Sequence, residues 1–214
     1  MKTERTRVKI CGLRDPEHAR IAAEAGADAI GLVFYAQSAR FVDAATAAKV
    51  ADALPPFVTA VGLFVDAKEG DIRAILRQVP LDVLQFHGDE SPEFCAQFGK
   101  PYLRAVRMEA ATDLLEYARR FSAARALLLD AHVQGQPGGT GLTFDWTVIP
   151  RDLPIPLILS GGLDAANVAR AMREVRPWAV DVSSGVESSR GVKDPQKIVE
   201  FIRKVRREDA GLSP

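Results

Sequence analysis

Six segments of the chain share one spacing of apolar positions, i, i+3, i+4 and i+7. This spacing places four side chains on a single face of a helix. It predicts helices over residues 18–25, 47–54, 72–79, 114–121, 168–175 and 198–205. Two weaker segments predict short helices, one in SPEFCAQFG near residue 91 and one after about Phe144.

Residues at the ends of these segments support the same boundaries. Asp15, Ser91 and Asp194 each precede a proline. A capping side chain followed by proline in the first turn is typical of a helix start. Gly26 follows the first segment and is predicted to end its helix, because glycine readily adopts the left-handed conformation found there.

Short, nearly continuous apolar runs lie between the helices. They are VKICG, DAIGLVF, VTAVGLFV, LDVLQFHG, YLRAVR, ALLLDA, PLILSGG and AVDVSSG. Runs that do not alternate with polar residues are typical of strands buried on both faces, as in parallel sheets covered by helices. The sequence therefore predicts eight parallel strands that alternate with helices.

This pattern fits a single-domain (β/α)8 TIM barrel of the α/β class that spans residues 1–214. A doubly wound open sheet is the alternative, and it gathers its polar residues at one switch point. Here unusual polar residues end many of the strands. They are Cys11, His87, Asp130, Ser160, Ser183 and Ser184. A ring of strand ends explains this distribution, so the barrel is favoured.

Composition narrows the range of functions. The chain has 28 basic and 28 acidic residues, so it lacks the basic excess expected of a nucleic-acid-binding protein. No apolar run approaches the roughly 20 residues of a membrane helix, and the first ten residues do not resemble a signal peptide. The two cysteines, Cys11 and Cys95, do not form a disulfide framework, and we expect a cytoplasmic protein.

The loops after the last two predicted strands indicate an anion site. The segments LILSGGL and VDVSSGVE end in small residues, among them Gly161, Gly162, Ser183 and Ser184. Glycine lets backbone N–H groups approach an anion closely, and barrels often bind phosphate in the loops after strands 7 and 8. The alternative is that these segments are only tight turns.

Asp130 and Cys11 are the candidates for acid–base chemistry. Asp130 follows three leucines, and loss of water there favours the protonated form that a general acid requires. Cys11 would have to be a thiolate to act as a base, and a nearby helix N-terminus could favour that form. The alternatives are a carboxylate that ties down the next loop and a cysteine that only packs.

Two further residues could contact a substrate. Arg40, after the second strand, could hold a substrate carboxylate through its planar fork, or it could be a solvated loop charge. His87 could donate a hydrogen bond from the end of the fourth strand. The sequence shows no metal-ligand spacing, dinucleotide fingerprint or P-loop, so we expect no cofactor.

Together these segments resemble the phosphoribosylanthranilate isomerase family of tryptophan biosynthesis. The matching pieces are KICGLR, GLVFYAQSARF, LQFHGDE, LLLDA, GGTGLTFDW, LSGGL and VDVSSGVE. They run in the family's order from residue 9 to residue 187. The resemblance implies a barrel that works without metal or organic cofactor on a small phosphosugar. The balanced charge and the short apolar runs indicate no nucleic-acid or membrane partner, and the chain is expected to be a monomer or a homodimer.

The resemblance also implies roles for individual residues. The aspartate that matches Asp130 protonates the ribose ring oxygen, and the cysteine that matches Cys11 removes the proton from the sugar C2. Arg40 matches an arginine that contacts anthranilate. Gly161, Gly162 and the pair Ser183–Ser184 match the phosphate site.

Other phosphosugar barrels are the nearest alternatives. Indole-3-glycerol phosphate synthase is expected to use a lysine near the end of its first strand, and the histidine-pathway isomerases an aspartate. Cys11 at that position argues against both. A non-catalytic barrel that binds a phosphorylated ligand is a third alternative, and it would need no acid–base pair.

Overall fold

Eight parallel strands close into a barrel in the computed structural model, which describes residues 5–108, 112–131, 145–150 and 152–211. Each strand pairs with its neighbour in chain order, and the first pairs with the eighth. The strands are β1 (Arg7–Cys11), β2 (Ala29–Val33), β3 (Thr59–Phe64), β4 (Val83–Phe86), β5 (Tyr102–Met108), β6 (Ala126–Ala131), β7 (Leu157–Leu159) and β8 (Ala179–Val182). The predicted TIM barrel is confirmed.

Helices follow the strands and cover the barrel. They are α1 (Pro16–Ala25), α2 (Ala44–Asp52), α3 (Glu69–Leu76), α4 (Pro92–Ala96), α5 (Leu114–Arg120), α6 (Val168–Val175) and α7 (Pro195–Asp209). The side chains of Asp15, Ser91 and Asp194 accept hydrogen bonds from backbone N–H groups of the first turn of α1, α4 and α7. Gly26 ends α1 with a φ of 104°, so the predicted caps are confirmed.

Alternate residues of each strand point to opposite sides of the barrel wall. Val61, Leu103 and Leu128 belong to a cluster inside the barrel. Ile10 and Leu84 belong to the larger cluster between the strands and the helices. Both faces of the strands are therefore buried in apolar surroundings, which is why the strand sequences read as continuous apolar runs.

Three features differ from the sequence prediction or extend it. A hairpin of β9 (Glu187–Ser189) and β10 (Val192–Lys193) follows β8, and its polar sequence gives no strand signal. Helix α6 begins at Val168, as the apolar spacing predicts, and a turn separates it from the loop of β7. A one-turn 3-10 helix spans Trp146–Val148, where a short helix is predicted. The glycine-rich segment before it, residues 132–144, lies outside the described residues.

An aromatic cluster beneath α4 is a test of this packing. Phe86 is fully buried, and its ring centroid lies 5.9–6.3 Å from those of Phe64, Phe94, Phe98 and Tyr102. Phe86→Ala should lower the free energy of unfolding by about 3–5 kcal/mol, because the site cannot collapse around the missing ring. Leu115→Ala, on the exposed side of α5, should cost below about 1 kcal/mol. Similar losses in urea unfolding of the two variants would contradict the assignment.

Candidate active site

The predicted site residues converge on one rim of the barrel. Cys11 is the last residue of β1, and Asp130 is the penultimate residue of β6. His87, Gly161 and Ser183 lie one or two residues beyond the ends of β4, β7 and β8. Since all eight strands are parallel and the sheet is closed, their carboxyl ends form a single mouth.

Strand alternation directs the key side chains into this mouth. Asp130 lies two residues after Leu128, which packs inside the barrel. Cys11 packs against Val33 and Leu63 in a small cluster, one layer above the inner cluster that contains Val61. Arg40 lies beside the end of β1, because a Cβ atom at Gly12 would come within 2.7 Å of the Arg40 side chain. The predicted base and guanidinium are therefore neighbours, and the charge of Arg40 acts on both Cys11 and Asp130.

Cys11 is nearly enclosed, with 5% of its surface exposed. Gly31 lies opposite it on β2, and a Cβ atom at that position would come within 2.7 Å of the sulfur. Burial raises the pKa of the Cys11 thiol and outweighs the positive charges of Lys9 and Lys193, which lower it. In the protein without substrate, loss of water therefore outweighs any lowering of this pKa by a nearby helix N-terminus.

Asp130 is held by a histidine. Its Oδ2 atom lies 3.1 Å from Nε2 of His87, and the Gln85 amide nitrogen lies 3.4 Å from Nδ1 of the same ring. With Gln85 donating to Nδ1, a neutral imidazole carries its proton on Nε2 and donates it to Asp130. His87 thus orients the candidate acid, a contact that the sequence prediction did not include.

Arg40 forms an ion pair inside the protein. Its Nε and Nη2 atoms donate to the two carboxylate oxygens of Glu187 at 2.6 and 3.0 Å. Lys193 donates to the same carboxylate at 2.8 Å. Burial alone would raise the pKa of Glu187, but its bonds to Arg40 and Lys193 lower it to about 2. Arg40 is therefore not a solvated loop charge, and its Nη1 group is not used by Glu187.

The loops after β7 and β8 lie against each other. Gly161 and Gly162 have φ values of 82° and 65°, a conformation that favours glycine. Within the described part of the chain, their N–H groups have no hydrogen-bond partner. Gly185 abuts the backbone carbonyl of Leu163, which leaves no room for a side chain. Such free N–H groups on a tight turn are suited to an anion.

Side-chain contacts stabilise the turn between β7 and α6. Asp164 accepts hydrogen bonds from the N–H groups of Ala166 and Asn167 at 2.8 and 2.9 Å. Asn167 donates to the carbonyl of Gly162 at 2.7 Å. These bonds hold the turn that separates β7 from the start of α6 at Val168.

Four charged residues near the mouth were not predicted from the sequence. They are Lys9, Asp181, Glu187 and Lys193, all buried. Lys9 and Asp181 interrupt apolar strands, which is a signal that could have been used. Glu187 and Lys193 belong to the β9–β10 hairpin and carry no such signal.

One cavity lies away from these residues. It has a volume of about 620 Å³ and is lined by Trp146, Pro156, Arg176 and Trp178, among others. Pro156 and Trp178 precede β7 and β8, so this cavity opens at the amino-terminal end of the barrel. It contains none of the predicted site residues, and the strand ends remain the candidate site.

The described residues contain neither a metal-binding group nor a membrane-spanning helix. Among the described residues, no group of three or more His, Cys, Asp or Glu side chains could hold a metal ion. None of the helices in those same stretches has the length and apolar character required to cross a membrane.

The geometry agrees with the result of a comparison with protein families. The family model for N-(5'-phosphoribosyl)anthranilate isomerase matches residues 8–204. The chain belongs to this family. The phosphoribosylanthranilate isomerase family comprises isomerases of tryptophan biosynthesis, and the chain is an enzyme of this type.

Curated relatives support the same assignment. An N-(5'-phosphoribosyl)anthranilate isomerase of Thiobacillus denitrificans is 56% identical over 200 residues, which cover 94% of this chain and 98% of the relative. One from Nitrosospira multiformis is 53% identical, with 93% and 96% covered. The matches extend over nearly the full length of both chains.

Solved structures of phosphoribosylanthranilate isomerases have the same fold. The enzyme of Thermotoga maritima is 40% identical, with a TM-score of 0.86 and 94% and 98% of the two chains covered. A second structure, 38% identical with a TM-score of 0.83 and the same coverage, is a complex with reduced 1-(o-carboxyphenylamino)-1-deoxyribulose 5-phosphate. The barrel is therefore the fold of solved members of the family.

The Glu187 carboxylate gives a test of the site's electrostatics. Its pKa is lower in the folded chain than its ordinary value of 4.5, so it contributes stability above about pH 4.5. That contribution is lost as the pH falls towards 2. Glu187→Gln should lower the free energy of unfolding by about 3–5 kcal/mol at neutral pH, because Arg40 and Lys193 lose their partner. The difference from the unmodified protein should shrink in acid.

Glu24→Gln is the matched control, since Glu24 is exposed and pairs with Arg20 on α1. It should cost below about 1 kcal/mol at either pH. Urea unfolding at several pH values would measure both variants. A Glu187→Gln effect that is the same at neutral and acid pH would contradict the ion-pair assignment.

Proposed function

We propose that this isomerase converts N-(5-phosphoribosyl)anthranilate to 1-(2-carboxyphenylamino)-1-deoxyribulose 5-phosphate with Asp130 as general acid and Cys11 as general base. The convergence of these two side chains on the barrel mouth, with the charge of Arg40 acting on both, is the observation that carries the proposal. An aldose–ketose rearrangement needs one group that gives a proton and another that takes one.

The first step opens the sugar ring. The carboxylic acid of Asp130 gives its proton to the ring oxygen, the C1–O bond breaks, and the anthranilate nitrogen forms a double bond to C1. The product is a protonated Schiff base, and Asp130 is left as a carboxylate. His87 holds this carboxylate at 3.1 Å, so its orientation is retained after the proton has left.

The second step moves a proton from C2. The thiolate of Cys11 takes the C2 proton, and the electrons of the C–H bond neutralise the protonated Schiff base to give an enolamine. Tautomerisation then gives the ketone at C2. The positive charge of the Schiff base makes C2 more acidic and also stabilises the nearby thiolate. This charge would offset the burial that raises the pKa of the free Cys11 thiol.

Three contacts would orient the substrate across the mouth. The free N–H groups of Gly161 and Gly162, together with Ser183 and Ser184, are suited to the phosphate. Arg40 would bind the anthranilate carboxylate through the guanidinium edge that Glu187 leaves free. His87 would contact the substrate from beside Asp130.

Three broader expectations stay predictions. Residues 1–214 are proposed to act as one catalytic domain. The chain is proposed to work as a monomer or a homodimer in the cytoplasm. For comparison, one solved structure, 36% identical with a TM-score of 0.82, shows generated monomers of the dimeric Thermotoga maritima enzyme.

Cys11→Ser and Asp130→Asn test the acid and base roles. Each should lower kcat by about 10²–10⁴-fold, the usual contribution of a positioned acid or base. Serine and asparagine are close in size to the cysteine and aspartate that they replace. The circular dichroism spectrum and the affinity for inorganic phosphate should therefore change little. A fluorescence assay with freshly made phosphoribosylanthranilate would measure turnover. Near-normal kcat in either variant would reject the role of that residue.

Arg40→Ala tests the carboxylate contact. It should raise KM by about 10-fold or more, because a charged hydrogen bond to the substrate contributes about 1.5–3 kcal/mol. Its effect on kcat should be smaller. Arg20→Ala, on the exposed face of α1, is the matched control and should leave both constants unchanged. An unchanged KM in Arg40→Ala would contradict the proposed contact.

A further inference from the structure

A buried ion pair lies directly below Cys11. Lys9 is two residues before it on β1, so both side chains point into the barrel. The Lys9 ammonium lies 2.8 Å from Oδ1 of Asp181, and each of these side chains is 5% exposed. Ser160 donates to the second oxygen, Oδ2, at 3.1 Å. The pair therefore occupies a closed layer of the barrel between the apolar interior and the mouth.

Stability alone does not explain this pair. Two charges lose their hydration when they are buried, and replacing such a pair with apolar residues of similar size is often neutral or stabilising. Apolar residues occupy the corresponding layer elsewhere, for example Val61 on β3 and Leu128 on β6. Packing alone therefore does not explain a lysine and an aspartate in this layer of the barrel.

The Lys9 charge can stabilise a negative charge on the Cys11 sulfur. Lys9 and Cys11 lie two residues apart on the same inward face of β1, and the positive charge of Lys9 acts on the sulfur. An ammonium has three hydrogens to donate, so it can bind Asp181 and the sulfur at once. Burial acts against the charged form of Lys9, but Asp181 and Cys11 outweigh it and raise the pKa of the ammonium. Lys9 is therefore a fixed positive charge.

We propose that Lys9 is a positioning residue for the isomerase reaction, because its ammonium, anchored by Asp181, stabilises the thiolate of Cys11. This inference rests on the proposed role of Cys11 as base. Lys9 does not touch the substrate; it acts through the sulfur above it. Asp181 has two opposed effects, since it holds Lys9 in place and its own negative charge disfavours the thiolate.

Other charged groups also face the sulfur. Lys193 of β10 acts on Cys11 from the β8 side and favours the thiolate. Arg40 interacts with it from the loop after β2. Neither charge is free, because both groups bind Glu187. Lys9 differs from them because it lies on the same inward face of β1 as Cys11, and because its partner is Asp181 and not Glu187.

The decisive experiment compares Lys9→Met with Asp181→Asn. Both substitutions break the same buried ion pair. If the pair had only a structural role, the pH at which Cys11 ionises would shift in the same direction in both variants. The electrostatic role predicts opposite directions. Lys9→Met should raise the pH at which Cys11 ionises by about 1–3 units, the usual effect of a neighbouring opposite charge. Asp181→Asn should lower it, because the amide oxygen of asparagine can still accept the hydrogen bond from Lys9 while the negative charge that disfavours the thiolate is removed.

The ionisation of Cys11 is measured without substrate. The rate of alkylation by iodoacetamide is followed against pH, and the modified residue is identified by peptide mapping, which separates Cys11 from Cys95. Arg104→Met is the matched control, because it breaks another buried pair, Arg104–Glu90 at 2.9 Å, on the far side of the barrel. It should leave the Cys11 midpoint unchanged at a comparable loss of stability.

Activity gives the second readout. In Lys9→Met, kcat should fall about tenfold for each unit by which the Cys11 midpoint rises, because the thiolate fraction falls tenfold. It should recover above the new midpoint. A loss of kcat that is uniform over pH, or midpoints that stay in place or shift alike in the two variants, would overturn the proposal. If Lys9→Met does not fold, Asp181→Asn alone tests the proposal. A Cys11 midpoint that does not fall in Asp181→Asn would contradict the role of Lys9.

The outcomes separate this inference from the proposed function. A normal kcat in Cys11→Ser would reject Cys11 as the base, whatever the alkylation midpoints show. Conversely, an inactive Cys11→Ser variant with unmoved midpoints in Lys9→Met and Asp181→Asn would keep the base and reject the role of Lys9.

Discussion

Strand β1 pairs in parallel with β8, and this pairing closes the sheet into a barrel. Closure brings the carboxyl ends of all eight strands to one mouth, so residues far apart in the chain become neighbours. Lys9 and Asp181 face each other in this pairing although 172 positions separate them. The proposed acid, the proposed base and the candidate phosphate loops all depend on this one register, since a shift by a single residue would turn the inward side chains outward.

Low hydration at the mouth has two opposite consequences for catalysis. It disfavours a charged sulfur, which is why the pKa of the Cys11 thiol is raised in the free protein. It also strengthens every interaction between the charges that remain, because water no longer screens them. A fixed ammonium below the sulfur and a transient positive charge on the substrate above it would then act together. Under the proposed mechanism, burial would favour the Cys11 thiolate only while the positively charged sugar intermediate is present.

The sequence carried enough information for the barrel and for the main catalytic candidates. Helix periodicity, continuous apolar strands and polar residues at strand ends are local patterns, and each is visible within about ten residues. The position of Asp130 after three leucines is such a pattern, and so is the proline that follows Asp15. The structure places both residues where these patterns indicate.

The remaining features depend on distant contacts. The partner of Arg40 is Glu187, 147 positions away, in a hairpin whose short polar strands give no periodic signal. The partner of Lys9 could be found only after the register of β1 and β8 was known. The raised pKa of Cys11 likewise depends on the sum of burial and several charges, which no local pattern provides.

The β9–β10 hairpin connects the two ends of the proposed substrate site. Lys193 donates to the Glu187 carboxylate that holds Arg40, and it also donates to the backbone carbonyl of Ser183 at 2.8 Å. Ser183 in turn donates to the carbonyl of Cys11 at 3.0 Å. The guanidinium proposed for the carboxylate end, the serine proposed for the phosphate end and the base therefore share one hydrogen-bonded network. Because its members are largely buried, the distance between the two ends is fixed before substrate arrives, and little binding energy is lost in ordering the site.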